Sequence, residues 1–330
     1  MKKVAIFNDT SKENHYGCYQ VMEVIFRELE QLDIKIEYTW PVGIDWTNQI
    51  NTKSLQNLSA IIINGEGTIH DTKNNKPARN LLKLSSFAAL NSVPCYLINS
   101  TIYQVEKKHI EDLRLFRRIY VRDKASQVFL KENNIHANFV PDLSFFFELS
   151  SDIIVHKHQK NKVLVTDSVL KNSAQELKKF AMNNKFEYLK FVKHPNIFRR
   201  ILEKFKRVAG KLNLISSKIK SKPSCPRNFQ KFIELFSSAN LVVAGRYHAV
   251  TTALSNKIPV ICIESNTPKI SFLLNDIFEE KKRLMSFIDP AKKYLNRNFS
   301  NKEQALLNDY ISFGRVQMKT MFKEISQESS

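Results

Sequence analysis

The chain has 330 residues, 43% of them hydrophobic and 25% charged, and a formal net charge of +19. This length exceeds the roughly 250–300 residues at which one core stops growing, so two domains are expected, and the composition excludes collagen-like, coiled-coil and wholly disordered chains. No apolar run approaches the ~18–20 residues of a bilayer span, and MKKVAIFNDTS has too short an apolar run for a signal-peptide core; the expectation is a cytoplasmic protein.

In chain order, KVAIFND (3–9) reads as a strand, and 18–32 carries apolar residues at helical spacing (Val21, Val24, Ile25, Leu29, Leu32). IKIEYTW (34–40) and SAIIIN (59–64) are strands, the second stopped by Gly65. A helix at 79–90, a strand at 93–100, a helix at 109–118, a strand at 119–123 and a helix at 124–133 follow, and ANFVPD (137–142) closes this half. The second half repeats the rhythm. It has a strand at 162–168, a helix at 174–183, a strand at 186–195, a helix at 229–238, a strand at 240–245, a helix at 247–255 and a strand at 258–265. An apolar patch begins at Phe272, and 305–325 reads as a terminal amphipathic helix. Strands alternating with helices mean βαβ units, so the fold class is α/β: two facing Rossmann-like domains with parallel sheets, 1–150 and 151–330, and a site in the cleft between them.

Charge divides the same way. Residues 1–150 hold 18 Lys/Arg and 17 Asp/Glu, whereas 151–330 hold 33 and 15. Residues 199–231 carry eleven Lys/Arg and a single acid, Glu203, and include Pro223 and Pro226. They read as a basic insertion, able to meet an anionic membrane surface or simply to be a solvated face. No RNA-recognition or helix-turn-helix signature accompanies them, so nucleic acid is not expected as a partner. The four cysteines (Cys18, Cys95, Cys225, Cys262) show no CxxC spacing, and none is read as part of a Cys/His cluster. Neither structural zinc nor a disulfide framework is expected, and no metal is demanded.

The chemistry-bearing residues gather at strand ends. Only seven glycines occur, and four of them lie in HYGC, NGEGTIH and AGRYH. Such turns can present backbone N–H groups to an anion, and a backbone demand is the expected reason for each glycine. There is no GxxxxGK[ST], and Gly65-Glu66-Gly67 lacks the third glycine of a dinucleotide fingerprint. In Arg246-Tyr247-His248 a guanidinium fork and an imidazole precede a helix. That combination can clamp a carboxylate or phosphate and supply an acid or base near neutrality. Each side chain also has a purely structural reading, Arg246 as a salt bridge and His248 as a half-buried packed ring.

These motifs, in order, resemble the polysaccharide pyruvyl transferase family: NDTSKENHYGC (8–18), INGEGTIHD (63–71), VRDKASQVFL (121–130), VPDLSF (140–145) and AGRYHAVTTALSNKIPVICIESNTPK (244–269). The resemblance implies a GT-B-like fold and transfer of a pyruvyl group from phosphoenolpyruvate onto two sugar hydroxyls as a ketal, with no cofactor. It implies donor binding by Gly245, Arg246, Tyr247, His248 and Lys269, with Arg246 and His248 catalytic and His248 the proton donor to the enol carbon. Asn14, His15, Gly17, Gly65, Glu66, Gly67, Arg122 and Asp142 then belong to the acceptor side or the cleft. Two departures stand out: Gly17-Cys18 replaces a usual Gly-Asp, and Glu66 interrupts a usual run of glycines. The acceptor is expected to be a saccharide of a surface polysaccharide or its lipid-linked precursor, met at the inner membrane face. The alternatives are a GT-B glycosyltransferase using a nucleotide-activated sugar and a non-catalytic glycan binder.

Overall fold

The computed structural model describes residues 1–148, 162–191, 218, 222–223, 225–226, 228–280, 282–286 and 298–329. The first sheet contains β1 (Lys3–Asp9), β2 (Lys35–Pro41), β3 (Ala60–Glu66), β4 (Cys95–Ser100), β5 (Arg118–Val121) and β6 (Asn138–Phe139), ordered β2-β1-β3-β4-β5-β6. The second contains β7 (Val163–Ser168), β8 (Glu187–Leu189), β9 (Leu241–Gly245), β10 (Val260–Ile263) and β11 (Leu284–Met285), ordered β11-β10-β9-β7-β8. Every pairing within the two sheets is parallel. Parallel strands are covered on both faces, which is why β3 is buried at all seven residues and its apolar run does not alternate.

Helices α1 (Tyr16–Gln31), α2 (Thr52–Leu55), α3 (Lys76–Leu90), α4 (Ile110–Arg114) and α5 (Lys124–Glu132) accompany the first sheet. Helices α6 (Lys171–Asn183), α7 (Phe229–Ser238), α8 (Tyr247–Ser255) and α9 (Lys269–Phe278) accompany the second, and α10 (Asn301–Glu328) ends the described chain. α1 buries Val21, Val24, Ile25 and Leu29 as its spacing predicts, but it begins at Tyr16, so Gly17 lies inside its first turn. His15 caps it, its Nδ1 accepting the Cys18 N–H at 3.3 Å. α3 starts three residues before the expected position, because Asn75 accepts the Ala78 N–H and Pro77 suits the first turn.

One expected element is corrected, and two stretches without an assigned element are resolved. The helix expected at 109–118 is only a 3₁₀ turn (Lys107–His109) and α4; the Arg117 N–H is already taken by the Cys95 carbonyl, which draws the chain into the sheet. ANFVPD, read only as the close of the first half, pairs over Asn138–Phe139, and Asp142 then starts a 3₁₀ turn (Leu143–Phe146) by accepting the Ser144 N–H. The patch at Phe272 belongs to α9, whose first N–H groups, on Ile270 and Ser271, bond the Glu264 carboxylate. Among the described residues, the strand expected at 186–195 is regular at Glu187–Leu189, and 192–195 lie outside them. The expected boundary near Ser150 and most of the basic segment 199–231 also lie outside the described residues.

The two sheets share one large apolar cluster, fed by α1, α7, α8, α9 and α10. The Tyr16 ring stacks on Phe232 with centroids 4.3 Å apart, and Gln20 accepts from Thr252 at 3.1 Å, so α1 is docked on the second half. α10 returns to the first sheet, where Tyr120 donates to Glu324 at 2.6 Å and Arg118 pairs with Glu328. Chain direction reverses sides between β1 and β3 in the first sheet and between β7 and β9 in the second. Ligands of open parallel sheets bind beyond such switch points, at the carboxyl ends of the strands.

Candidate active site

Residues from both switch points line one cleft of about 280 Å³. Thr10, Glu13, His15 and Cys18 follow β1, and Glu66, Gly67 and Thr68 come from the end of β3 and just beyond it. Arg246, Tyr247 and His248 follow β9, and Arg122 and Lys269 complete the polar wall.

The cations are held, not free to swing. Arg246 occupies the N-cap position of α8 without capping it, and its fork grips Asp167 at the end of β7 through Nε (2.8 Å) and Nη2 (2.9 Å). Those two bonds leave Nη1 for a ligand. Arg122 is 2% exposed; it donates to Thr101 at 2.9 Å and Asp142 at 2.7 Å, and its guanidinium lies 4.2 Å from the centre of the Tyr247 ring. Lys269 opens α9, and burial, reinforced by Arg122, pushes its amine down to about 8. The first turn of α8 adds the positive end of a helix dipole.

His248 is the least satisfied group in the wall. It is 7% exposed, and its Nε2 has no hydrogen-bond partner among the described residues. Burial lowers its pKa below the ordinary 6.5, against the opposing pull of Asp142 and Glu66. Asp142 is fully buried behind it, 3.9 Å from Nε2. Burial alone would raise that carboxyl, but Arg122, His248 and Ser144 hold it below the usual carboxylate range. His15 is lowered further, first by burial and then by His248, Arg246 and Lys269.

Glu66 faces this wall from the end of β3. Its Oε1 accepts from Thr10 (2.6 Å) and Asn64 (2.9 Å), and its Oε2 accepts from the Cys18 thiol (3.4 Å). Its backbone has φ +41°, a conformation that side-chain-bearing residues rarely adopt. The Cys18 thiol is pushed well up by burial and by Glu66.

The fold therefore brings His15, Glu66, Gly67, Arg122, Arg246, Tyr247, His248 and Lys269 to one cleft wall. Asp142, Gly17, Gly65 and Gly245 stand behind it, and Asn14 lies in the turn just before the His15 cap. The backbone demand expected at the motif glycines is not a positive φ. Among the described residues only Gly43 is a glycine at positive φ. Gly65 and Gly245 lie within strands, and the need at three of the four positions, Gly17, Gly65 and Gly245, is close approach. A Cβ on Gly17 would lie 2.2 Å from His248 Cβ, and one on Gly245 would lie 2.6 Å from Ser168 Cβ. Sequence reasoning missed Asp167, Thr10 and Thr68. Asp167 had the same signal as Arg246, a polar residue ending an apolar strand (VLVTDS), but no motif drew attention to it.

Residues 15–267 match the profile of the family described as polysaccharide pyruvyl transferase. The chain belongs to that family. It is accordingly a transferase, and the motif resemblance noted in the sequence holds over most of its length. No curated protein sequence matches the chain. Among solved structures, a functionally uncharacterized protein from Klebsiella pneumoniae subsp. pneumoniae NTUH-K2044 is similar at 12% identity and a TM-score of 0.50, covering 87% of this chain and 93% of that one. UDP-GlcNAc 2-epimerase from Methanocaldococcus jannaschii, solved with UDP-GlcNAc and UDP, is similar at 12% identity and a TM-score of 0.50, covering 95% and 100%. At that identity the likeness concerns the fold, a GT-B-like pair of parallel sheets. No helix among the described residues is long and apolar enough to cross a membrane.

Proposed function

We propose that this pyruvyl transferase moves the pyruvyl group of phosphoenolpyruvate onto two hydroxyls of a saccharide, forming a ketal and releasing phosphate. One observation carries the reading: a buried imidazole nitrogen without a partner sits in a wall that also holds Arg122, Arg246 and Lys269. A small donor bearing a carboxylate and a phosphate suits that wall, because the cations and the α8 N-terminus bind both anions.

The chemistry then distributes as follows. The proton-bearing His248 Nε2 gives its proton to the methylene carbon of the enol, and positive charge develops on the carbon bearing the phosphate. A sugar hydroxyl attacks that carbon. Glu66, across the cleft, accepts the hydroxyl proton. The C–O bond to phosphate breaks, a second hydroxyl closes the ketal, and its proton leaves with the phosphate. The neighbouring cations stabilise the departing anion. Lowered pKa values leave His248 neutral in the empty site, and the bound trianion is what recharges it. The basic second half suits an acceptor carried on an anionic lipid surface.

Separate incubations with phosphoenolpyruvate and with a nucleotide-sugar panel, each with and without acceptor saccharides, test this reading. Acceptor-dependent phosphate release supports it; nucleotide release with no phosphate from phosphoenolpyruvate overturns it.

A further inference from the structure

His15 and Cys18 flank the start of α1, and His248 stands in the first turn of α8. The spacing along the chain hid their meeting. A ring nitrogen of each histidine and the Cys18 sulfur lie within 4.8 Å of one another. The two imidazoles meet edge to face, with centroids 5.2 Å apart. All three residues line the cleft. The His248 Nε2 is buried and without a hydrogen bond among the described residues.

We propose that His15, Cys18 and His248 form a binding site for a thiophilic divalent transition metal of the Zn²⁺ type, with its fourth position open to the cleft. Two imidazoles and a thiolate are a borderline-soft donor set, which selects such ions over the hard, oxygen-seeking Mg²⁺ and Ca²⁺. Tetrahedral bonds of about 2.0–2.3 Å place two nitrogens and a sulfur roughly 3.3–3.6 Å apart, so the trio needs to close by no more than about 1.5 Å. The His15 Nδ1 accepts the long, 3.3 Å contact from the Cys18 N–H, which ligation can displace. The carboxylates of Glu66 and Asp142 offset the neighbouring cations. On binding, the Cys18 S–H bond breaks, its proton passes to solvent and the sulfur electron pair goes to the metal. The metal also takes the lone pair of a His248 nitrogen. A metal-bound His248 cannot take up the second proton that makes it an imidazolium, so this cation would remove the acid form on which the proposed transfer rests and switch it off.

The site depends on Cys18, and cobalt reports on it directly. The full chain, freed of metal by a chelator, is titrated with Co²⁺. The expected result is one equivalent bound, with a thiolate-to-cobalt charge-transfer band in the near ultraviolet and strong visible absorption from four-coordination. Zn²⁺ removes both signals and Mg²⁺ neither. Cys18→Ser loses the charge-transfer band, and His15→Gln weakens cobalt binding at least tenfold. Thermal melts of both variants verify that they are folded. Absence of the band, or an identical band in Cys18→Ser, overturns the proposal. If phosphate release from phosphoenolpyruvate persists in that case, the metal site alone has failed.

Discussion

At the scale of single residues, the account turns on a buried imidazole. His248→Gln keeps a polar side chain of similar size but cannot carry the proton. Turnover is expected to fall by about 10²–10⁴, the usual worth of a general acid, while the donor dissociation constant changes only a few-fold. Calorimetry beside a phosphate-release assay separates the two quantities. The pH dependence follows from the lowered pKa. The acid form is needed, and in the free protein it forms only below 6.5. After the donor's own ionisation is divided out, kcat/KM rises as pH falls through that range. Folding shows a matching sign: His15 and His248 favour their neutral forms when folded, so stability is full above 6.5 and declines as pH drops below it. Much of this site was legible. A guanidinium and an imidazole at a strand end pointed to an anion without any structure. Asp167, which fixes the Arg246 fork, was not legible, because 79 positions separate the partners and a lone Asp ending a strand has no pattern of its own.

At the scale of elements, the seam between α1 and α8 is the tightest constraint. Gly17→Ala gains at most about 1 kcal/mol of helix propensity, and overpacking costs about 1–3 kcal/mol. With His248 Cβ at 2.2 Å the cost wins, so a lower denaturation midpoint and a displaced His248 ring are expected together. In α9, Asp276 accepts the Lys124 N–H at 2.9 Å, and burial pushes its carboxyl up to about 7. A raised folded value means stability is full below 3.8 and is lost as pH rises to about 7. Asp276→Asn keeps an acceptor and removes that loss. The variant should be about 1–3 kcal/mol more stable at pH 8 and no more stable at pH 4, as read from denaturant melts. Elements with short-range signals were legible: the α1 periodicity and the apolar β3 run appear where expected. α9 was not, because its first N–H groups are satisfied by Glu264, outside the helix, and 109–118 failed because the sheet claimed the Arg117 backbone.

At the scale of the whole molecule, each of two parallel sheets has a switch point, and both open on one cleft. Alternating strand and helix patterns revealed the two sheets. They could not reveal that α1, from the first half, packs its glycine against the histidine of the second. That contact unites the residues argued to protonate the donor and receive the acceptor proton. The most direct test of the resulting chemistry is nuclear magnetic resonance of the reaction run in deuterium oxide, with phosphoenolpyruvate and a diol-bearing saccharide. The account predicts inorganic phosphate and ketal in equal amounts, with one deuterium in each new methyl group. Phosphoenolpyruvate left intact while a nucleotide sugar is consumed, or a methyl group without solvent deuterium, would contradict it.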